Sequence, residues 1–298
     1  MSVSPAAVPS VQLGDGVRIP QIGFGTFQIP PEDTQRAVEQ ALELGYRHID
    51  TAAGYYNEAG VGAALRATGL ERPEVFVTTK LRNVDQGADR AREAFEASRQ
   101  ALGIEVVDLY LIHWPVPSRG LYVETWETLV GLAEGGAARA VGVSNFLPEH
   151  LERLVAATGV APAVNQIEVH PSFSQPGSRE ASLRRGIAVE AYSPLGQGGD
   201  LRDPVVAGIA GRLGLTPAQA VLAWHLRSGR IIIPKSTHPE RMRENLESVR
   251  TASLLAPEDL DAVEALDRGP AGRIGGDPAI FAFPQTREDA AARGEGLD

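Results

Sequence analysis

The sequence predicts an α/β protein, a (β/α)8 TIM barrel preceded by an N-terminal β-hairpin. Three observations carry that expectation: eight short apolar runs, helical segments between them, and a polar or ionisable residue closing nearly every run. The runs fall at residues 22–25, 48–50, 75–80, 106–113, 140–145, 163–169, 187–192 and 230–235. Each is rich in β-branched or aromatic residues and short enough to be a buried strand. Eight strand–helix alternations predict a parallel sheet with helices outside, and eight is the number that closes a barrel.

Residues 11–20, turning at Gly14-Asp15-Gly16, read as a hairpin before the first barrel strand. Ala37, Val38, Ala41 and Leu42 share one helical face, and Gly45 ends that segment. Trp126, Leu129, Val130 and Ala133 do the same before Gly135-Gly136, and Leu151, Leu154 and Val155 lead into Gly159. Glycine is where a left-handed C-cap carries the least strain. Thr216-Pro217-Ala218-Gln219 reads as a capping box with proline at N1, opening a helix that closes at Gly229. A further apolar helix is expected over 257–266. No linker or low-complexity stretch interrupts the chain, so 11–298 is expected to be one barrel domain behind a flexible leader, 1–10.

Apolar residues make up 43% of the 298 and charged residues 22%, enough for a sizeable core. A formal net charge of -10 repels nucleic acid. The absence of cysteine excludes disulfides, thiolate catalysis and cysteine-ligated metal, and fits a cytoplasmic protein. His48, His113, His150, His170, His225 and His238 form no ligand-spaced cluster, so no metal is expected. The opening residues lack the charge and apolar core of a secretory signal. No apolar stretch approaches the ~20 residues needed to span a bilayer. A monomer acting on a small molecule, with neither nucleic acid nor membrane as partner, is the expectation.

A barrel gathers its reactive groups at the carboxyl ends of its strands. In this chain those positions hold Thr26, Asp50, Lys80, His113, Ser144-Asn145, Gln166, Tyr192-Ser193 and Lys235-Ser236. Asp50, Tyr55, Lys80 and His113 make a coherent set. A free phenol, with a pKa of ~10, donates protons poorly at neutral pH. A nearby ammonium stabilises the phenolate, and a carboxylate keeps that ammonium charged. A histidine can donate to a substrate oxygen and orient it. Singly, Asp50 and Lys80 would serve as a buried ion pair, and a strand-end histidine or a tyrosine as packing. In combination they would polarise and protonate a carbonyl while a nucleophile attacks its carbon.

The motifs narrow the reading further. Residues 45–62, GYRHIDTAAGYYNEAGVG, resemble the first signature of the aldo-keto reductases; 139–146, RAVGVSNF, the second; and 233–245, IPKSTHPERMREN, the third. Shorter matches are GFGTF at 23–27, VTTK at 77–80, DLYLIHWP at 108–115, VNQIEVHP at 164–171 and AYSPLG at 191–196. The likeness runs in order from about 11 to 281 and is greatest to the bacterial diketogluconate-reductase-like members. It implies a nicotinamide cofactor, NADPH, bound without a Rossmann fold; Gly23-Phe24-Gly25 indeed lacks a third glycine.

By the same resemblance Asp50, Tyr55, Lys80 and His113 form the catalytic four, with Tyr55 the general acid. Thr26 lies with the cofactor residues, Ser144, Asn145 and Gln166 hold the carboxamide, and Tyr192 stacks on the nicotinamide. Ser193 and Leu195 line the pyrophosphate. Lys235, Ser236 and Arg241 grip the 2′-phosphate, with Glu244 and Asn245 at the adenine. A 2′-phosphate favours a guanidinium fork and an ammonium, and a helix N-terminus adds to that pull.

Departures from the family pattern bear on substrate. Arg82 stands where an aromatic residue is common, Gly54 where a larger apolar one is, and Phe27 where tryptophan is frequent. Phe27, Arg82 and Trp114 are the expected pocket residues, with Arg82 biasing toward polar or anionic carbonyls. Tyr56 neighbours the expected acid, and the spacing from Asp50 selects Tyr55. The rival readings are a non-catalytic NADPH-binding sensor or structural protein, a Schiff-base aldolase using Lys80, and a metal-dependent barrel hydrolase.

Overall fold

Strands whose side chains alternate between an inner and an outer face form the wall of this protein. The computed structural model describes residues 8–283. Of the expected leader, 1–7 lie outside the described residues, as do 284–298 at the end of the expected barrel domain. β1 (Ser10–Gln12) pairs antiparallel with β2 (Arg18–Pro20), Val11 opposite Ile19. Ser10, expected in the leader, belongs to this strand. The Gln21 N–H reaches the Pro9 carbonyl at 2.8 Å and carries the pairing past Val11.

Eight strands then follow in chain order around a single parallel sheet. They are β3 (Phe24–Gly25), β4 (His48–Asp50), β5 (Phe76–Leu81), β6 (Val107–Ile112), β7 (Ala138–Ser144), β8 (Val164–Glu168), β9 (Ala188–Tyr192) and β10 (Ile231–Ile232). The sheet closes on itself. Ile22 bridges Ile232, the Gly23 N–H donates to the Ile232 carbonyl at 2.8 Å, and the Ile232 N–H donates to the Gln21 carbonyl at 2.9 Å. The expected (β/α)8 barrel with its hairpin is present. Its last strand is shorter than the run at 230–235, because Pro234 has no N–H to continue the ladder.

The helices are α1 (Pro31–Leu44), α2 (Glu58–Ala67), α3 (Ala88–Leu102), α4 (Tyr122–Glu134), α5 (Pro148–Thr158), α6 (Pro176–Leu183), α7 (Pro204–Leu213), α8 (Pro217–Arg227), α9 (Pro239–Thr251) and α10 (Pro257–Glu264). α7 is an extra helix between β9 and β10, and α10 follows the eighth unit. Gly45 ends α1 at φ 115°, a conformation that L side chains rarely adopt. The capping box of α8 forms as expected: the Gln219 N–H donates to Thr216 Oγ1 at 3.1 Å, and the Thr216 N–H to Gln219 Oε1 at 3.2 Å. Among the described residues no single helix is long and apolar enough to cross a membrane.

The alternation of strand residues sorts the core into layers. Outward Val77 packs with Val38, Ala41 and Trp224, while outward Tyr110 and Ile112 pack with Trp126, Phe146 and Leu151. The hairpin's Leu13, Val17 and Ile19 join Phe76, Leu109, Leu111, Val164 and Ile231 in a separate apolar cluster. Each such side chain contributes about 1.5–3 kcal/mol by burial. This cluster plugs the amino-terminal end of the barrel. The polar interior above it therefore opens only toward the carboxyl ends of the strands.

Candidate active site

Above the plug, the inward positions change from apolar to charged. Phe76, Thr78 and Lys80 lie on one face of β5, two residues apart, and His48 and Asp50 do so on β4. Register places Asp50 opposite Thr78. Lys80 and Asp50 are buried, and Lys80 Nζ donates to Asp50 Oδ1 at 2.6 Å, to the Thr51 carbonyl at 2.8 Å and to Tyr55 Oη at 3.4 Å. Tyr55 ends a short 3-10 turn, Ala53–Tyr55, just beyond β4. Its ring meets His113 edge-on at 5.5 Å between centroids. The structure thus brings all four sequence-expected catalytic residues together.

The adjacent tyrosines separate cleanly. Tyr56 adopts a left-handed conformation, φ 56°, while Tyr55 keeps the contact with Lys80. Electrostatics follow from burial and pairing. Burial opposes the Lys80 charge, but Asp50 and Tyr55 more than offset it and hold the ammonium above its ordinary pKa. Burial likewise pushes the Tyr55 phenol up, against the downward pull of Lys80. Asp50 is pushed up by burial and pulled back by Lys80 and Gln166.

Around this set the other expected residues are positioned by backbone geometry. Ser144, Gln166 and Glu190 sit side by side in register across β7, β8 and β9. Ser144 Oγ donates to the Gln166 carbonyl at 2.9 Å. Gln166 Nε2 donates to Asp50 Oδ2 at 2.8 Å and to Glu190 Oε2 at 2.9 Å. Asn145 takes a left-handed φ of 64°, and its Nδ2 donates to the His113 carbonyl and to Ser144 Oγ, both at 3.0 Å. Tyr192 Oη donates to Asn145 Oδ1 at 2.8 Å. Non-glycine residues held at positive φ concentrate at functional sites, and Ser193, φ 46°, is a second example on this rim.

Thr26 is fully buried, with Oγ1 donating to the Asp50 carbonyl at 3.1 Å, so it braces the carboxyl end of β4. Leu195 is half-buried at the start of the turn Gly196–Gly198. That turn, with Ser172, Asp200, Arg202, Arg268 and Ile274, lines a cleft of about 670 Å³. Lys235 and Arg241 are exposed, and neither makes a hydrogen bond or ion pair to a described residue. Ser236 is buried and accepts from the His238 N–H at 3.1 Å. Glu244 accepts from Thr216 Oγ1 at 2.5 Å, and Asn245 is buried on α9.

Of the expected pocket residues, Phe27 lies 5.0 Å from the Tyr55 ring and is 45% exposed. Trp114 is buried because Phe281 stacks on it, 4.0 Å between centroids. Arg82 Nε donates to Asp85 Oδ2 at 2.6 Å, so much of its charge is met within its own turn. Sequence reasoning missed Glu190, the covering Phe281, and a buried trio of Glu168, His170 and Asp200 on the rim. The signal for Glu190 was available: it lies two positions before Tyr192, on the same face of an apolar strand.

Geometry and motifs agree on the class: the chain belongs to the aldo/keto reductase family, whose model matches residues 21–268, and it is an oxidoreductase. Its relatives include an aldo-keto reductase of Mycolicibacterium smegmatis, 49% identical over 275 residues that cover 92% of this chain and 98% of that protein. The methylglyoxal reductase DkgA of Yersinia pestis is 47% identical, with 92% and 97% covered. Among solved structures, a Gox0644 mutant in complex with NADPH matches at a TM-score of 0.88 and 46% identity, covering 93% of this chain and 99% of that one.

Proposed function

We propose that this chain reduces aldehydes and ketones to alcohols with NADPH, with Tyr55 delivering the proton. The observation that carries the reading is the placement of a buried ammonium, Lys80, between the Asp50 carboxylate at 2.6 Å and the Tyr55 phenol at 3.4 Å. The residues fit the cofactor. Gln166 has committed its amide nitrogen inward, which leaves its carbonyl oxygen to accept from a carboxamide. Tyr192 is fixed through Asn145, the cleft beside Gly196–Gly198 has room for a pyrophosphate, and Lys235 and Arg241 are free to meet a 2′-phosphate. Partial desolvation by the surrounding chain holds the otherwise exposed Lys235 ammonium below its ordinary pKa, and an incoming dianion would relieve that.

A nicotinamide bound there supplies the hydride. The protein's own part is to hold a carbonyl oxygen between Tyr55 and His113 and to hand it a proton from Tyr55 Oη. Lys80 stabilises the phenolate so formed, and Asp50 keeps Lys80 charged. Phe27 and the Trp114–Phe281 pair wall the approach. A lysine held protonated is a poor nucleophile, which argues against a Schiff-base role for Lys80.

The test is NADPH oxidation with a panel of aldehydes and diketones, wild type beside Tyr55→Phe. Loss of a general acid lowers kcat by about 10²–10⁴, and NADPH should still bind the variant. Tight NADPH binding by the wild type without turnover of any carbonyl would instead support the sensor or structural reading.

A further inference from the structure

Glu190 is an acid with no part in the mechanism above, yet it sits at the centre of the barrel. It is fully buried on β9, opposite Gln166 of β8 and Ile231 of β10. Its Oε2 accepts from Gln166 Nε2 at 2.9 Å, and the same nitrogen donates to Asp50 Oδ2 at 2.8 Å. Its Oε1 has no hydrogen-bond partner and lies 3.7 Å from His48 Nε2. The groups facing it are His48 and Asp50 from β4, Lys80 from β5, Gln166 from β8, and Tyr55 above them.

Charge balance decides which acid holds a proton. Two carboxyl groups and one ammonium share this buried interior. Lys80 is spent on Asp50 at 2.6 Å. Burial, helped by Lys80, pushes His48 down to about 3, so its ring is neutral. Glu190 therefore has no cation of its own, and an unpaired buried carboxylate costs several kcal/mol. Burial first, then Asp50, raises Glu190 to about 8.

We propose that Glu190 is a positioning residue for carbonyl reduction: a neutral carboxylic acid that, with Asp50, takes up both N–H donors of Gln166. An amide with both donors so committed is fixed in one of its two flipped orientations. Gln166 then offers its carbonyl oxygen, an acceptor suited to the carboxamide N–H of a nicotinamide. Lys80 meanwhile faces one counter-charge instead of two. When Glu190 loses its proton, a second negative charge appears beside Asp50 and raises the Tyr55 phenol further. Tyr55 becomes a weaker acid, so reduction slows as pH rises through the Glu190 titration.

This inference rests on the proposed reductase reading for its kinetic half, and its spectroscopic half is independent. Infrared difference spectra of the cofactor-free protein between about pH 6 and about pH 10 should lose a protonated-carboxyl band in wild type. Glu190→Gln should show no such loss. In kinetics, one deprotonation near 8 lowers wild-type kcat about tenfold between about pH 7 and about pH 9. Glu190→Gln should flatten that ratio to within about twofold. Glu190→Leu, which removes the acceptor for Gln166, should weaken NADPH binding about tenfold, the worth of one oriented hydrogen bond. Glu190→Gln should restore it. A band that persists in Glu190→Gln, a wild type without the band, or the same pH ratio in both proteins overturns the proposal. If no carbonyl is reduced at all, the infrared titration still decides the state of Glu190.

Discussion

His170 offers the sharpest test of the electrostatics at the rim. Its ring is fully buried, with Nε2 2.9 Å from Glu168 Oε1 and Nδ1 2.8 Å from Asp200 Oδ2. Burial opposes its charge, but Asp200 and Glu168 raise its pKa from 6.5 to about 9. Glu168 also accepts the N–H groups of Ile274 and Gly275 at 2.6 and 2.8 Å. The imidazolium thus ties the end of β8 to the turn around Asp200 and to the segment beyond α10, all at the edge of the 670 Å³ cleft.

The gap between 6.5 and about 9 corresponds to roughly 3 kcal/mol of folding stability. The folded pKa is raised, so this contribution is complete below 6.5, fades as pH rises, and is gone above about 9. Thermal unfolding of wild type should drop by roughly 5–10 °C between about pH 6 and about pH 10. His170→Gln cannot carry the charge, so it should unfold lower at about pH 6 and lose less on going alkaline. Parallel pH dependences in the two proteins would refute the charged-clamp reasoning.

Two further outcomes are expected. Lys80→Met leaves Asp50 buried without its cation and should lose about 3–5 kcal/mol in urea unfolding; adding Asp50→Asn should restore much of that without restoring carbonyl reduction, and a double variant no more stable than Lys80→Met would contradict the pairing. Gly142→Ala should lose about 1–3 kcal/mol, because a Cβ there would lie 2.6 Å from the Val164 carbonyl oxygen and 2.8 Å from Leu111 Cδ2; an unshifted unfolding midpoint would show that β7 and β8 are packed less tightly.

The barrel and the cluster of four residues proposed as catalytic were readable because they depend on short-range rules. A strand-end residue in phase with the inward face points into the barrel mouth, so Asp50, Lys80 and His113 converge once the fold is known. Tyr55 sits five residues beyond Asp50, within reach of a single turn. α7 was not readable: Gly208 and Gly211 interrupt its apolar period, and the helix holds by packing rather than propensity. The His170 clamp was hidden for a different reason. Its partner Asp200 lies thirty residues away in a glycine-rich turn with no periodicity, and Phe281 reaches Trp114 across an even longer separation.

Glu190 is the instructive case, because the pattern that located Lys80 also locates it. Residues two apart on a strand share a face, so Thr78 accompanies Lys80, His48 accompanies Asp50, and Glu190 accompanies Tyr192. An acid inside the run at 187–192 contradicts the apolar pattern unless something inside the barrel takes it up. The hairpin explains why something can. Leu13, Val17 and Ile19 seal the lower end with apolar surface, so Glu190 is fully buried, 2.9 Å from the amide nitrogen of Gln166. An apolar plug below and an ammonium already paired with Asp50 thus leave Glu190 without a cation of its own, which is the condition its proposed role in orienting the Gln166 amide requires.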